Sequence, residues 1–161
     1  MRTKILIILL SLSYSTICHG FSNEYEAKAA WVNFIFKNIK INQNDKNSIC
    51  TLGLDSVGLF LKENNDNIKE KIIGEDFNNC RILYISNSEE RNISSIIREV
   101  SKFNLITISD LERFLSYGGS IKLNIKNNMI NLVLNKKNLL NLESHGWVIN
   151  SNIKNMSFTD E

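Results

Sequence analysis

Two short, almost wholly apolar stretches restrict the fold more than any other feature of the sequence. Residues 82–85 and 105–108 each have the length of a strand, with hardly a polar side chain among them. Such runs are typical of strands that are covered on both faces in a parallel sheet. After the first, residues 93–100 have helical spacing. After the second, Ser109 and Glu112 have the spacing of a capping box, which predicts a short helix.

The rest of the chain predicts elements that continue this strand and helix alternation. Gly118 is expected to end the short helix in a left-handed conformation. Asp55 is expected to cap another helix, and Asn127 and Asn128 to form the turn of a hairpin. The further predicted elements are a helix over 23–39, strands over 49–52 and 68–73, hairpin strands over 121–125 and 130–134, and a helix over 136–144.

Together these elements predict a single α/β domain. We expect a mixed, mostly parallel sheet with an antiparallel edge hairpin and helices on both faces. The strand over 68–73 alternates only weakly, so we expect it at an edge of the sheet. Neither an internal repeat nor a domain boundary is visible in the sequence.

The first residues have the pattern of a secretory signal. Arg2 and Lys4 precede a short apolar run over 5–10, and small and polar residues follow it. We predict a signal peptide over residues 1–20, with cleavage after Gly20, and an α/β domain over 21–161. The alternatives are an uncleaved anchor and, less favoured, a lipoprotein at Cys18. The apolar run is shorter than the roughly 20 residues that a membrane span requires.

Charge and composition argue against a nucleic-acid partner. Without Arg2 and Lys4, the remaining Lys and Arg side chains balance the 17 Asp and Glu side chains. A near-neutral chain has no excess of basic side chains with which to bind the phosphates of a nucleic acid. We therefore expect an exported protein that does not bind nucleic acid.

Two cysteines remain after the predicted signal, Cys50 and Cys80, each at the start of a predicted strand. An even pair in an oxidising compartment usually forms a disulfide, which we predict here. Two buried free thiols are the alternative. A redox-active dithiol is disfavoured because the cysteines lie far apart in sequence and form no C-x-x-C motif.

The sequence offers little for catalysis or metal binding. His145 is the only histidine after the predicted signal, so neither a histidine metal site nor a pair of histidine acid and base groups can form. Ser109, Asp110 and His145 contain the residue types of a nucleophilic triad, but Ser109 and Asp110 fit helix capping better. Gly53 and Gly58 have phosphate-loop spacing without the lysine and hydroxyl residue that such a loop requires. We predict no catalytic residue, metal or cofactor.

The first predicted helix has two apolar sides. One broad face is expected to pack on the core, whereas Phe34 falls on the opposite side beside Ala27 and Ala30. An aromatic ring between small residues forms a flat surface that suits a protein contact. Ala27, Ala30 and Phe34 are therefore candidate partner-binding residues. The alternative is that a neighbouring helix covers Phe34.

Several segments, in order, resemble the YfiR-like periplasmic protein family. The opening helix resembles that of the family in Tyr25, Lys28, Ala29, Ala30, Trp31, Asn33, Phe34, Phe36 and Lys37. The matching segments after it are residues 49–53, 80–86, 105–110 and 118–121. The resemblance covers roughly residues 24–153 and rests on the order and spacing of the segments.

The resemblance implies a regulatory role without enzymatic activity. The best understood members of that family bind the periplasmic sensor region of an inner-membrane diguanylate cyclase, keep cyclic-di-GMP synthesis low, and are released when an outer-membrane lipoprotein sequesters them. Cys50 and Cys80 match the family's first cysteine pair. The second pair of some members is missing, Ile39, Lys40 and Ile41 replace the family's Trp-Pro, and the last helix is longer. These departures bear on the identity of the partner.

We therefore expect a periplasmic regulatory binding protein that acts on an inner-membrane diguanylate cyclase or sensor kinase. The alternative is a periplasmic small-molecule-binding component of a sensor system. A hydrolase is disfavoured because only one histidine remains. An outer-membrane lipoprotein is a further expected partner, and a homodimer is left open.

Overall fold

The computed structural model describes residues 23–41, 47–126, 129–150, 153 and 157–159. The predicted signal peptide with its cleavage site and the hairpin turn at Asn127 and Asn128 lie outside these residues. The helices are α1 (Glu24–Asn38), α2 (Ser56–Glu63), α3 (Ile93–Val100) and α4 (Lys136–Ser144). The strands are β1 (Ile39–Ile41), β2 (Ser48–Leu52), β3 (Ile68–Lys71), β4 (Cys80–Ile85), β5 (Ile106–Ser109), β6 (Ile121–Lys126), β7 (Met129–Asn135), β8 (Trp147–Ile149) and β9 (Ser157–Thr159).

Seven strands form the main sheet in the order β3-β2-β4-β5-β6-β7-β9. The strands from β3 to β6 pair in parallel, β6 and β7 form an antiparallel hairpin, and β7 pairs in parallel with β9. The predicted α/β class with a mixed, mostly parallel sheet is confirmed. The hairpin is followed by β9, so β9 and not β7 is the outermost strand on that side.

Both faces of the sheet are covered, as the apolar runs predicted. Along β4, Ile82 and Tyr84 point into one core, which α1, α2 and α4 cover, and Leu83 and Ile85 point into a second core, which α3 covers. Alternate side chains of a strand point to opposite faces, so a strand buried on both faces has no polar side.

The predicted capping box does not form, and the segment after β5 is a series of turns instead of a regular helix. The hydroxyl of Ser109 is buried, donates to the carbonyl oxygen of Ile85 at 2.7 Å and accepts from the amide of Leu111 at 3.3 Å. The hydrogen bond to Ile85 fixes the Ser109 side chain against the neighbouring strand β4, which is why it does not cap a helix. The left-handed Gly118 is confirmed, with φ of 95°.

A second, two-stranded sheet lies beside the main one. β1 continues directly from α1 and pairs antiparallel with β8, so that Ile39 lies opposite Ile149. Ile39 and Trp147 contribute to the same core as α1. This ribbon anchors the carboxyl end of α1 to the chain that follows α4.

The carboxyl ends of the parallel strands define where sites are expected in this fold. From β2 the chain continues to β3 on one side, and then to β4 on the other side of β2. Such a reversal of strand order opens a crevice at the carboxyl ends of the strands. The loops after β2, β3 and β4 meet at this edge.

Candidate functional site

Polar side chains from four elements meet at the carboxyl ends of the parallel strands. Asp55 follows β2, Tyr84 lies near the end of β4, Asp110 follows β5, and Lys28 comes from α1. Two of these side chains are almost completely enclosed, because Tyr84 is fully buried and Lys28 is also buried. Buried polar groups of this kind require partners, and their pairing decides what the cluster can do.

Asp55 links the start of α2 to the centre of the sheet. Its Oδ1 accepts from the amide of Gly58 at 2.8 Å, which is the predicted helix cap, and its Oδ2 accepts from the Tyr84 hydroxyl at 2.8 Å. Burial raises the pKa of Tyr84 far above its ordinary value, and the charges of Asp55 and Asp110 raise it further. Tyr84 is therefore a protonated hydrogen-bond donor.

Lys28 forms a buried ion pair that the sequence analysis did not predict. Its Nζ lies 2.5 Å from Asp110 Oδ2 and 2.5 Å from Glu24 Oε1. Burial lowers the pKa of Lys28, but hydrogen bonds and charge attraction, first from Asp110 and then from Glu24, leave its pKa raised. Lys28 is thus held as an ammonium ion and is no nucleophile.

This cluster joins α1 to the sheet and does not line a binding cavity that the structure describes. A cavity of about 80 Å³ beside α3 and α4 and a groove of about 360 Å³ beside β3 are lined by other residues. Asp110 Oδ1 is buried without a hydrogen-bond partner, which makes the Lys28 ammonium the main compensation for that carboxylate. The geometry assigns the cluster a structural role.

The residues of the disfavoured triad are each bound to other groups. Ser109 donates to the Ile85 carbonyl, Asp110 pairs with Lys28, and the Nδ1 of His145 lies 2.7 Å from the carbonyl oxygen of Asn141. Of the phosphate-loop glycines, Gly58 lies inside α2 with its amide bound to Asp55. Within the described ranges, no group of three or more His, Cys, Asp or Glu side chains is arranged to hold a metal ion.

The candidate partner-binding strip of α1, made of Ala27, Ala30 and Phe34, is half-buried. The Phe34 ring packs edge-on against Trp31, with ring centroids 5.4 Å apart, at the margin of the main core. Phe34 is therefore neither free in solvent nor enclosed by another helix. The strip's role in binding remains a prediction.

The structure joins Cys50 and Cys80 in a disulfide, with Cα atoms 5.6 Å apart. It connects the neighbouring parallel strands β2 and β4, and both cysteines are fully buried in the core that α3 covers. Cys80 begins β4 as predicted, whereas Cys50 is the third residue of β2, which pairs directly with β4. No redox chemistry is indicated for a disulfide enclosed in this way.

Comparison with known proteins identifies the family of this chain. In the described part of the chain, no helix has both the length and the apolar content needed to cross a membrane. No curated protein matches the sequence. The sequence profile of the YfiR/HmsC-like family matches residues 25–145, which include α1 from Tyr25 onward, the disulfide, the polar cluster and α4. The chain belongs to the YfiR/HmsC-like family.

Proposed function

We propose that this protein is a periplasmic regulator of cyclic-di-GMP signalling. It binds the periplasmic region of an inner-membrane diguanylate cyclase or sensor kinase and thereby controls that protein's output. The observation that carries the proposal is the family match over residues 25–145. An outer-membrane lipoprotein that sequesters the regulator is its proposed second partner.

The state of the polar cluster favours a binding role for the protein over a catalytic one. Its tyrosine is kept protonated by burial and its lysine is kept charged by two carboxylates, so neither is poised to exchange protons near neutral pH. General acid and base catalysis works best with groups whose pKa lies near the working pH. The charges here are used to hold helix α1 in place.

Helix α1 supplies the proposed contact surface. Ala27 and Ala30 allow a partner's backbone to approach closely, and the half-buried Phe34 adds an aromatic anchor whose ring is already ordered by Trp31. An ordered aromatic side chain loses little entropy on binding, which favours it as a binding hot spot. Lys28 fixes the same helix turn from the opposite side.

The test of this proposal is a direct measurement of binding and output. The disulfide-bonded protein is titrated against the purified periplasmic region of a cyclase encoded in the same genome, and cyclic-di-GMP is measured in cells with and without the gene. We expect saturable binding and a rise of cyclic-di-GMP on deletion. If deletion of the gene changes neither the cyclic-di-GMP level nor the kinase output, the proposed regulatory role is wrong.

A matched pair of variants tests the α1 surface. Phe34→Ala removes the proposed anchor, whereas Phe60→Ala removes a similarly half-buried ring that packs edge-on against Tyr25 on the same core. Each should lower the free energy of unfolding by about 2 kcal/mol, roughly half the effect at a fully buried site. Only Phe34→Ala should weaken partner binding. Equal weakening by both variants would assign the effect to stability.

A further inference from the structure

Strand β3 leaves one side of its backbone open at the edge of the main sheet. In the part of the chain that the structure describes, β3 pairs only with β2. The backbone carbonyl oxygen of Asn67 accepts from the amide of Ile49 at 3.2 Å, so the backbone groups of Asn67 point toward β2. Because backbone groups along a strand alternate in direction, the N–H and C=O of Glu70 point away from the sheet.

An apolar groove of about 360 Å³ lies where β2 and β3 end, and Glu70 and Lys71 of β3 form part of its lining. Three of the side chains that line it are large, apolar and exposed: Leu54 at 74%, Ile72 at 69% and Ile73 at 46%. They come from the loops that follow β2 and β3. A contiguous exposed apolar surface next to unpaired strand backbone is the usual arrangement where a protein adds a strand from a partner.

The groove also contains one carboxylate without a cationic partner among the described residues. Glu70 pairs with Lys62 at 2.9 Å and Lys71 pairs with Glu75 at 3.4 Å, so these charges are compensated. Glu89 lies over Gly53 and receives only a long hydrogen bond of 3.4 Å from Asn92. A basic side chain on the occupant would compensate Glu89.

We propose that this groove binds an extended segment of a protein partner, which pairs with the outer edge of β3 and then crosses the carboxyl ends of β3 and β2 toward Glu89. The segment places apolar side chains on Leu54 and Ile72 and a lysine or arginine against Glu89. A small molecule fits less well, because pockets for small ligands enclose most of their ligand and these walls are open to solvent. The proposal goes beyond the cyclase contact of α1, since the groove contains no residue of that helix.

The proposal is tested with a phage-displayed library of random peptides, selected on the disulfide-bonded protein. We expect enriched peptides that alternate apolar residues and carry a basic residue. A synthetic copy of the leading peptide should bind saturably and slow hydrogen exchange at the amide of Glu70, which points away from β2. Selection on Glu89→Lys should enrich acidic residues instead of basic ones.

Variants with matched controls give the quantitative test. Ile72→Glu should weaken binding of the wild-type-selected peptide by about tenfold or more, as should Glu89→Lys, because each introduces an unfavourable charge at the groove. The controls are Leu140→Glu, at another exposed apolar site on α4, and Glu90→Lys, at the neighbouring exposed carboxylate. Circular dichroism confirms that each variant is folded.

Three results would overturn the proposal. The first is a library that yields no binding peptide. The second is a peptide that binds wild type and Ile72→Glu equally. The third is binding that leaves hydrogen exchange at Glu70 unchanged. The α1 variant Phe34→Ala should bind the peptide normally, so failure at the groove and failure at α1 are distinguishable.

Discussion

The buried ion pair between Lys28 and Asp110 allows a quantitative prediction. The side chain of Lys28 is 9% exposed and that of Asp110 is 14% exposed, whereas Glu24 is 62% exposed. Replacing Lys28 with methionine keeps the apolar stem and removes the ammonium. Glu24 can then be hydrated, but Asp110 keeps a buried charge whose Oδ1 already lacks a hydrogen-bond donor.

Removal of one partner of a buried pair costs about 3 to 5 kcal/mol. We expect Lys28→Met to lose about 3 kcal/mol, at the lower end, because Asp110 retains some solvent contact. In urea unfolding, with a slope of about 2 kcal/mol per molar, the midpoint should fall by about 1.5 M. Lys37→Met in the exposed last turn of α1 is the control, with an expected change below about 0.5 kcal/mol.

A double-mutant cycle separates the pair from other effects of the substitution. Lys28→Met combined with Asp110→Leu removes both charges, so the loss should be clearly smaller than the sum of the two single losses. Additive losses, or a Lys28→Met midpoint equal to that of wild type, would refute the idea that this pair holds α1 on the sheet.

The same pair sets a pH dependence with a definite sign. The pKa of Lys28 is raised in the folded protein, so its stabilisation is fully present below the unfolded value of about 10.4 and is lost as pH rises through the folded value. Burial also raises the pKa of Tyr84, so this residue contributes to the pH dependence of stability in the same alkaline range. The difference in stability between wild type and Lys28→Met should therefore shrink above about pH 10.

Three further predictions concern single features. The disulfide should block alkylation of Cys50 and Cys80 in the unreduced protein, and Cys50→Ser with Cys80→Ser should cost about 3.5 to 4 kcal/mol in chemical unfolding; ready alkylation would contradict it. Gly53→Ala should cost about 2 kcal/mol or more, since φ is 83° and a Cβ would meet the loop after β4; an unchanged melting temperature would contradict it. Ser109→Ala should cost about 1 to 3 kcal/mol by calorimetry, with partner binding intact; a hydrolytic activity lost with it would restore the triad.

The main sheet was predictable because a strand that is buried on both faces has a recognisable run of apolar residues in the sequence. The last four residues of β4 are apolar because they are buried on both faces, and the hairpin of β6 and β7 alternates because one of its faces packs on the main core. Asp55 was predictable as a cap because the capping bond spans only three residues. Features that depend on residues close together in sequence could thus be predicted.

The features that the sequence analysis missed depend on contacts between distant residues. The ion pair joins positions 82 residues apart, and β1 and β8 are strands of three residues, too short to show a period. The helix expected after Ser109 failed for a related reason. Its local sequence favours a cap, but a bond to Ile85 on the neighbouring strand fixes the side chain.

Helix α1 is held by polar contacts near both of its ends, and this arrangement explains how a weakly amphipathic helix can present a defined surface. Near its amino end, Lys28 is tied to Asp110 at the carboxyl edge of the sheet. Near its other end, the Arg81 guanidinium lies 4.5 Å from the centroid of the Phe36 ring. Arg81 directly follows Cys80, so the disulfide and the contact with α1 both involve the start of β4. Two of the three residues of the proposed contact strip, Ala30 and Phe34, lie between these two anchors along the helix, and we expect the anchors to restrict rotation of the helix about its axis.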